Sequence, residues 1–342
     1  MHAGHGFARP PGTFGKIITA AEPHKETTML TAEQLQARKG KITSSIAAGA
    51  LGLTPKTMSP LKAWQACLGQ LDQIDTKATQ RGNRLESLVL DYPADELGLV
   101  REPAPFRKHP KFDWTGDSAD ALYTKDGAIV FVGEGKTASM GVGLKYGEEG
   151  TDEIPESTLV QSHWHLAHWP EANRCVVPVL VGGYAFEFRL YYVDRDNEFE
   201  GALLDDLAQW HRDYVVTGKP PPVTGSDYDT SWLLKKYPTG LAAMLSDSAE
   251  IEKWARQKAA ASGSKKIAEE SEDEAKNKLR ELLGAAVGVK AQWGSVSYKN
   301  NAASLKTDWQ ALATSLGVGA ETIARFTKEI PGPRVLRVTV KA

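Results

Sequence analysis

The stretch that most constrains this chain is residues 120–136, two short apolar, β-rich runs joined by a turn, with charges placed where an interior strand should end. Residues 121–123 and 128–132 read as paired strands, and Lys125-Asp126-Gly127 between them supplies a hairpin turn. The second run is apolar enough to lie inside a sheet, yet it ends in Glu134-Gly135-Lys136. Residues two apart on a strand share a face, so Glu134 and Lys136 point the same way, and the hairpin brings Asp120 alongside them. Two carboxylates and a lysine at the end of a buried sheet suit a hard divalent cation and an activated water, with Lys136 orienting or deprotonating that water. Two other readings fit the same residues. One is a surface hairpin with a Glu/Lys pair. The other is the end of a phosphate-binding loop at Gly133-Glu134-Gly135-Lys136-Thr137, which lacks its first glycine because Val130 stands there.

The rest of the chain limits the classes of function. Its 342 residues, 41% hydrophobic, suffice for one large or two ordinary domains. A formal charge of −2 and a pI near 6.5 mean that any contact with nucleic acid comes from local basic patches. Cys67 and Cys175 stand far apart without motif spacing, which argues for a reducing compartment and against a zinc cluster or disulfide scaffold. No apolar run approaches the ~18 residues of a membrane helix, and the N-terminus lacks a signal-peptide core, so a cytoplasmic protein is expected.

Residues 1–30, rich in Gly, Pro, His and Thr, read as a mobile leader in which His2, His5 and His24 are inert. A basic segment follows, with Arg38, Lys39, Lys41, Lys56 and Lys62 against one acid, Glu33. Its Arg, Lys and hydroxyl groups before a helix form either a phosphate pocket or a solvated helix start capped by Ser44 or Ser45. Another helix is expected from Ser59 through Leu71. The helix 82–90 sets Glu86 beside its apolar side, where it is either exposed or a further ligand. Residues 106–114 bring Arg107, Lys108, His109 and Lys111, and Asp113 and Asp117 rival Asp120 as carboxylates. Residues 139–156 read as an exposed loop.

A helix over 155–169 carries Gln161, His163, His165 and His168. A zinc reading of the histidines fails on geometry, since i and i+2 face apart, whereas Gln161, His165 and His168 share a polar stripe facing DNA or the site. A hairpin over 175–193 and a long helix over 196–217, stopped by Pro220-Pro221-Pro222, complete an α/β or α+β unit. Beyond 228 the texture changes to a charged, Ala-rich helical arm broken near Ser262-Gly263-Ser264, a strand at 294–299, short helices at 307–316 and 320–327, and a final strand at 335–340.

In order, these motifs resemble the lambda-exonuclease type, or YqaJ-like viral recombinase domain, of the PD-(D/E)xK nuclease superfamily. Arg38-x-Gly-x-Ile-Thr43-x-Ser45 resembles its N-terminal phosphate motif, Gly82-x-x-x-Glu86 its helix glutamate, Glu134-x-Lys136 its Glu-x-Lys, and Gln161 the glutamine of the following helix. Asp120 stands where the family has Ser-Pro-Asp-Gly, here with Ser118, Ala119 and Ala121 around it. The resemblance implies a restriction-endonuclease-like core, a central mixed sheet flanked by helices, over 31–227. An accessory region, 228–342, would hold the helical arm 246–284 and a small α+β part at 293–342. It also implies a Mg²⁺-dependent, or Mn²⁺-dependent, 5′→3′ exonuclease acting on double-stranded DNA ends. Such an enzyme leaves 3′ tails for a single-strand annealing protein and often forms a ring trimer. Asp120, Glu134 and the Gly135 carbonyl would then hold the metal, with Glu86, Lys136 and Gln161 completing the catalytic set and Arg38, Thr43 and Ser45 holding the 5′ phosphate. Alternatives are an endonuclease of the same superfamily and a non-catalytic DNA-binding or assembly protein on the same fold.

Overall fold

The computed structural model describes residues 36–54, 56–71, 77–183, 186–240 and 248–328, together with 246, 336 and 338. The expected leader and most of the expected final strand lie outside them. The chain divides into two units, 1–232 and 233–342.

In the first unit, two short helices, α1 (Ser44–Ala50) and α2 (Pro60–Cys67), precede a long one, α3 (Lys77–Leu97). Pro60 opens α2 at the position where a helix loses nothing by lacking an N–H, and the Ser59 hydroxyl accepts from the Lys62 amide. The expected hairpin is β4 (Ala121–Lys125) and β5 (Ala128–Gly133). Its two-residue turn, Asp126 and Gly127 at φ 52° and 79°, has the twist that tight antiparallel hairpins require.

The sheet is mixed. β1 (Val100–Glu102) pairs antiparallel with β4 and β4 with β5, β2 (Arg107–Lys108) pairs with β3 (Gly116–Asp117) as a separate ribbon, and β5 and then β6 (Lys136–Ser139) run parallel along one edge of β7 (Arg174–Gly182). β8 (Phe186–Asp194) pairs antiparallel with β7. Thus β5 and β6 are two parts of one course along β7, interrupted at Glu134-Gly135, and the Glu134 amide still donates to the Val176 carbonyl.

Alternation along β7 divides the core. Cys175, Val177 and Val179 face one way with Leu122, Val132 and Tyr191, against Leu166 and Trp169 at the end of α5 (Glu156–His168). Val176 faces the other way, with Tyr123, Leu190 and Leu90 of α3. Helices therefore cover both faces, the α/β arrangement of a mixed sheet flanked by helices that the sequence leads one to expect. A third cluster joins Ile42, Ile46 and Ala47 to Trp164 of α5 and to Leu203 and Leu207 of α6 (Asn197–Trp210). The expected helix 196–217 is α6 continued by a π-helical turn over His211–Val216. Residues 139–156 are not all loop, since Met140–Gly143 form a helical turn, α4.

After α7 (Asp227–Lys236), the described residues of the second unit form α8 (Ala249–Leu283), a hairpin of β9 (Gly288–Ala291) and β10 (Gly294–Ser297), and two short helices, Trp309–Ser315 and Ala320–Phe326. The expected break at Ser262-Gly263-Ser264 is absent. The helix runs for 35 residues through Gly263. A glycine costs an exposed helix only about 1 kcal/mol, and the surrounding alanines and the i,i+4 pairs Lys265–Glu269 and Lys266–Glu270 continue it on the far side.

Candidate active site

The interruption between β5 and β6 faces α3. A side chain at 135 would lie 2.9 Å from Leu90 Cδ2 and 3.4 Å from Val89 Cγ1, so only glycine lets the backbone pass this close to the helix. Around this crossing is a cavity of about 190 Å³ lined by Gly82, Glu86, Val89, Asp120, Gly135, Lys136 and Thr137. α3 contributes Gly82, Glu86 and Val89 from one face. Asp120, just before β4, is tied to the crossing because the Gly135 amide donates to its Oδ2 at 2.8 Å and its own amide donates to the Gly133 carbonyl at 3.1 Å.

Behind the cavity, Glu134 is engaged at both oxygens. Lys136 Nζ donates to Oε1, and His165 Nε2 stands 2.8 Å from Oε2. Lys136 Nζ also donates to Gln161 Oε1 at 2.8 Å. Gln161 and His165, one helical turn apart on α5, thus meet this cluster from the same side. His165 is fully buried, and its Nδ1 lies 2.8 Å from Oδ1 of Asp117, which also accepts from Trp169 Nε1 at 2.8 Å.

The charges explain the titration of these groups. Burial opposes the charged form of His165, but Asp117 and Glu134, one at each ring nitrogen, outweigh it and push its pKa up to about 10. The ring is therefore an imidazolium donating both ways. Burial and the charge of Glu134 push Asp120 up to about 7. Burial also works against the charge of Glu134, yet Lys136 and His165 hold it ionised below the usual carboxylate range. For Lys136, burial is outweighed by Glu134 and Asp120, so it stays above its ordinary value and remains a cation. Glu86 is raised by burial, with Arg101 opposing and Glu134 adding to the rise.

Among the described residues, no three His, Cys, Asp or Glu side chains are gathered into a ready metal cage. The donors nonetheless suit a hard cation. Asp120 and Glu86 line a small cavity beside Glu134, both carboxyls are raised by burial, and bound positive charge would favour their ionised forms.

Arg38 closes a helical turn before Gly40, and the chain after it is held to the strand entering the site. The Ile42 amide donates to the Trp114 carbonyl and the Gly116 amide to the Ile42 carbonyl. The charges of Asp117 and Asp120 act on the Arg38 guanidinium, although burial dominates and lowers its pKa. Its Nε and the hydroxyl of Ser118 are buried without a hydrogen-bond partner among the described residues. Thr43 is buried as the N-cap of α1, and Ser45 is exposed in its first turn.

Of the rival carboxylates, Asp117 is committed to His165 and Trp169. Asp113 is exposed, with its backbone carbonyl accepting from Lys41. Arg107, read as available to phosphate, is paired with Glu171 and stacked over Trp169. The stripe Gln161, His165, His168 is not a face for DNA along its length. His168 is buried between Thr115 Oγ1 and the Trp164 carbonyl, both at 2.8 Å. What the sequence reading missed was the pairing of His165 with Glu134 and Asp117. The turn separating His165 from Gln161 was its one signal.

Residues 33–168 match the model of the YqaJ-like viral recombinase domain. The uncharacterized protein YqaJ of Bacillus subtilis (strain 168) is 29% identical over 217 residues, 62% of this chain and 65% of that protein. The chain thus spans less than two thirds of the length of that relative. Among solved structures, an alkaline exonuclease from Laribacter hongkongensis aligns with a TM-score of 0.40 at 15% identity, over 61% of this chain and 98% of that one. A phage related exonuclease from Haemophilus somnus 129PT aligns with a TM-score of 0.40 at 13% identity, over 52% and 94%.

Proposed function

We propose that the chain, whose residues 33–168 match the YqaJ-like viral recombinase domain, is a metal-dependent DNA exonuclease that digests double-stranded ends 5′→3′ and leaves 3′ tails for a single-strand annealing protein. The observation that carries this reading is Lys136, held between Glu134 and Gln161 at an acidic cavity that also contains Asp120 and Glu86. Asp120, Glu134 and the Gly135 carbonyl would hold a Mg²⁺ ion, with Glu86 beside them, and such an ion would supply positive charge that polarises a scissile phosphate.

The chain's own groups do the rest. Lys136, its ammonium held by Glu134 and Gln161, orients the attacking water and stabilises developing negative charge by donating hydrogen bonds. Gln161 fixes the direction of Lys136. His165, anchored by Asp117, fixes Glu134 from the other side and keeps it ionised. Arg38, with Thr43 and Ser45 at the next helix start, holds the 5′ phosphate. The unpartnered Arg38 Nε and Ser118 hydroxyl support this assignment, because buried donors without partners are costly unless a ligand satisfies them.

The test is linear duplex DNA with labelled 5′-phosphate ends beside a covalently closed circle, with and without Mg²⁺. Release of nucleotides from the 5′ ends alone supports the reading. Cleavage of the circle replaces it with an endonuclease, and binding without products under any divalent metal replaces it with a non-catalytic DNA-binding protein.

A further inference from the structure

The end of α6 carries a feature that the proposed reaction leaves unused. Leu203 and Leu207, four residues apart, are buried in one cluster with Ile46 of α1 and Trp164 of α5. The next position on that stripe is His211, where the helix widens into the π-helical turn His211–Val216. An imidazole thus stands where the stripe calls for an apolar side chain. Turns of this kind are rare and occur frequently at functional sites.

His211 Nε2 lies 3.1 Å from the Gly40 carbonyl. A carbonyl only accepts, so Nε2 carries the proton and donates. Burial, opposed by that carbonyl, lowers the pKa of the ring, and the charges of Lys41 and Arg212 lower it further. The ring is neutral at pH 7, so it acts through its hydrogen bond and not as a cation for phosphate.

Gly40 ends the turn that carries Arg38. Its φ of 76° reverses the chain, its amide donates to the Cys67 carbonyl at the end of α2 at 2.6 Å, and the Lys41 amide closes back on the Arg38 carbonyl at 3.0 Å. The π-helical turn grips α2 as well, since Trp64 Nε1 donates to the Tyr214 carbonyl at 2.8 Å. The Arg38 turn, α2 and the π-helical turn therefore hold one another in a closed ring of three contacts. The Gly40–Cys67 bond joins two backbone groups, whereas the Gly40–His211 bond comes from a side chain and is open to substitution. No hydrogen bond at Nε steadies the Arg38 guanidinium among the described residues, so its aim depends on this turn.

We propose that His211 is a positioning residue for the 5′ phosphate: by holding the Gly40 carbonyl it fixes the turn that aims Arg38, and so sets the preference for phosphorylated over hydroxyl 5′ ends. This inference rests on the reading of Arg38 as the group that holds the 5′ phosphate.

The test uses the full chain and Mg²⁺ with linear duplexes that carry either a phosphate or a hydroxyl at the labelled 5′ end, and reads the ratio of kcat/KM for the two. His211→Leu, which keeps the bulk and removes the donor, should lower this ratio about tenfold by raising KM on phosphorylated ends, with kcat/KM on hydroxyl ends within about twofold of the unaltered protein. His211→Gln, whose amide can donate to the same carbonyl, should keep the ratio within about threefold. In an Arg38→Ala background, where the preference is already lost, His211→Leu should change the ratio by less than about twofold, as expected of residues that act as one unit. His211 is half-buried, so urea midpoints are recorded on the same variants. A lowered midpoint with an unchanged ratio in His211→Leu overturns the positioning role and leaves the residue to the fold alone. An equal loss of preference in His211→Leu and His211→Gln also overturns it, as does a loss that persists undiminished without Arg38. If the unaltered protein digests phosphorylated and hydroxyl ends alike, the Arg38 pocket falls and this inference with it. If it releases nothing from linear DNA, the nuclease reading itself falls.

Discussion

His165 and Glu134 meet at 2.8 Å in the buried wall behind the acidic cavity, with the other face of the imidazole taken by Asp117 at the same distance. A carboxylate expected to hold a cation is thereby fixed by a charge contributed from the neighbouring helix. Removing that charge leaves Glu134 with Lys136 and Asp117 with Trp169, each short of one buried donor. His165→Ala should destabilise the protein by about 3–5 kcal/mol in urea titrations at pH 7, the usual cost of breaking a buried ion pair. A change under about 1 kcal/mol would mean that Asp117 and Glu134 find other partners.

The same ring predicts the direction of a pH dependence. Its folded pKa, about 10, lies above the ordinary histidine value, so its contribution is complete below about pH 6.5 and is lost as pH rises toward 10. The stability gap between the unaltered protein and His165→Ala should therefore narrow from pH 7 to pH 10. A gap that widens over this range contradicts the imidazolium.

Asp120 behaves oppositely to a typical paired carboxylate. Its pKa is raised to about 7, so without metal its ionisation destabilises the fold progressively as pH rises from about 4 through 7. Asp120→Asn should be the more stable protein at pH 8 in a chelator, by at least about 1 kcal/mol, with the advantage vanishing near pH 4. Added Mg²⁺ should stabilise the unaltered protein and leave the variant unmoved.

Gly135→Ala puts a methyl group 2.9 Å from Leu90 Cδ2. The crossing must shift, at a cost of about 1–3 kcal/mol and with loss of nuclease activity, since Asp120 is held by the amide of residue 135. Leu90→Ala should restore part of the activity in the double variant. Its failure to do so would show that the methyl group is blocked by something other than this contact.

Much of the core was legible in the sequence because its signals are local. Period-two alternation and the Asp126-Gly127 turn place Asp120 beside Glu134 and Lys136, and helical spacing brings Gln161 to the same cluster. What the sequence concealed depends on distant partners. His165 reads as a polar surface residue until Asp117, 48 positions away, is packed against it. Arg107 reads as free until Glu171 is placed. The break expected at Gly263 followed a local rule that the alanines and paired charges of α8 override.

The most direct measurement is nucleotide release from 5′-labelled linear duplex by Lys136→Ala in Mg²⁺, with DNA binding recorded on the same samples. The expected result is a loss of at least about a thousandfold in rate with binding within about threefold of the unaltered protein, because Lys136 orients the reacting water. Release within tenfold of the unaltered rate would remove Lys136, and the cavity built around it, from the centre of the reaction.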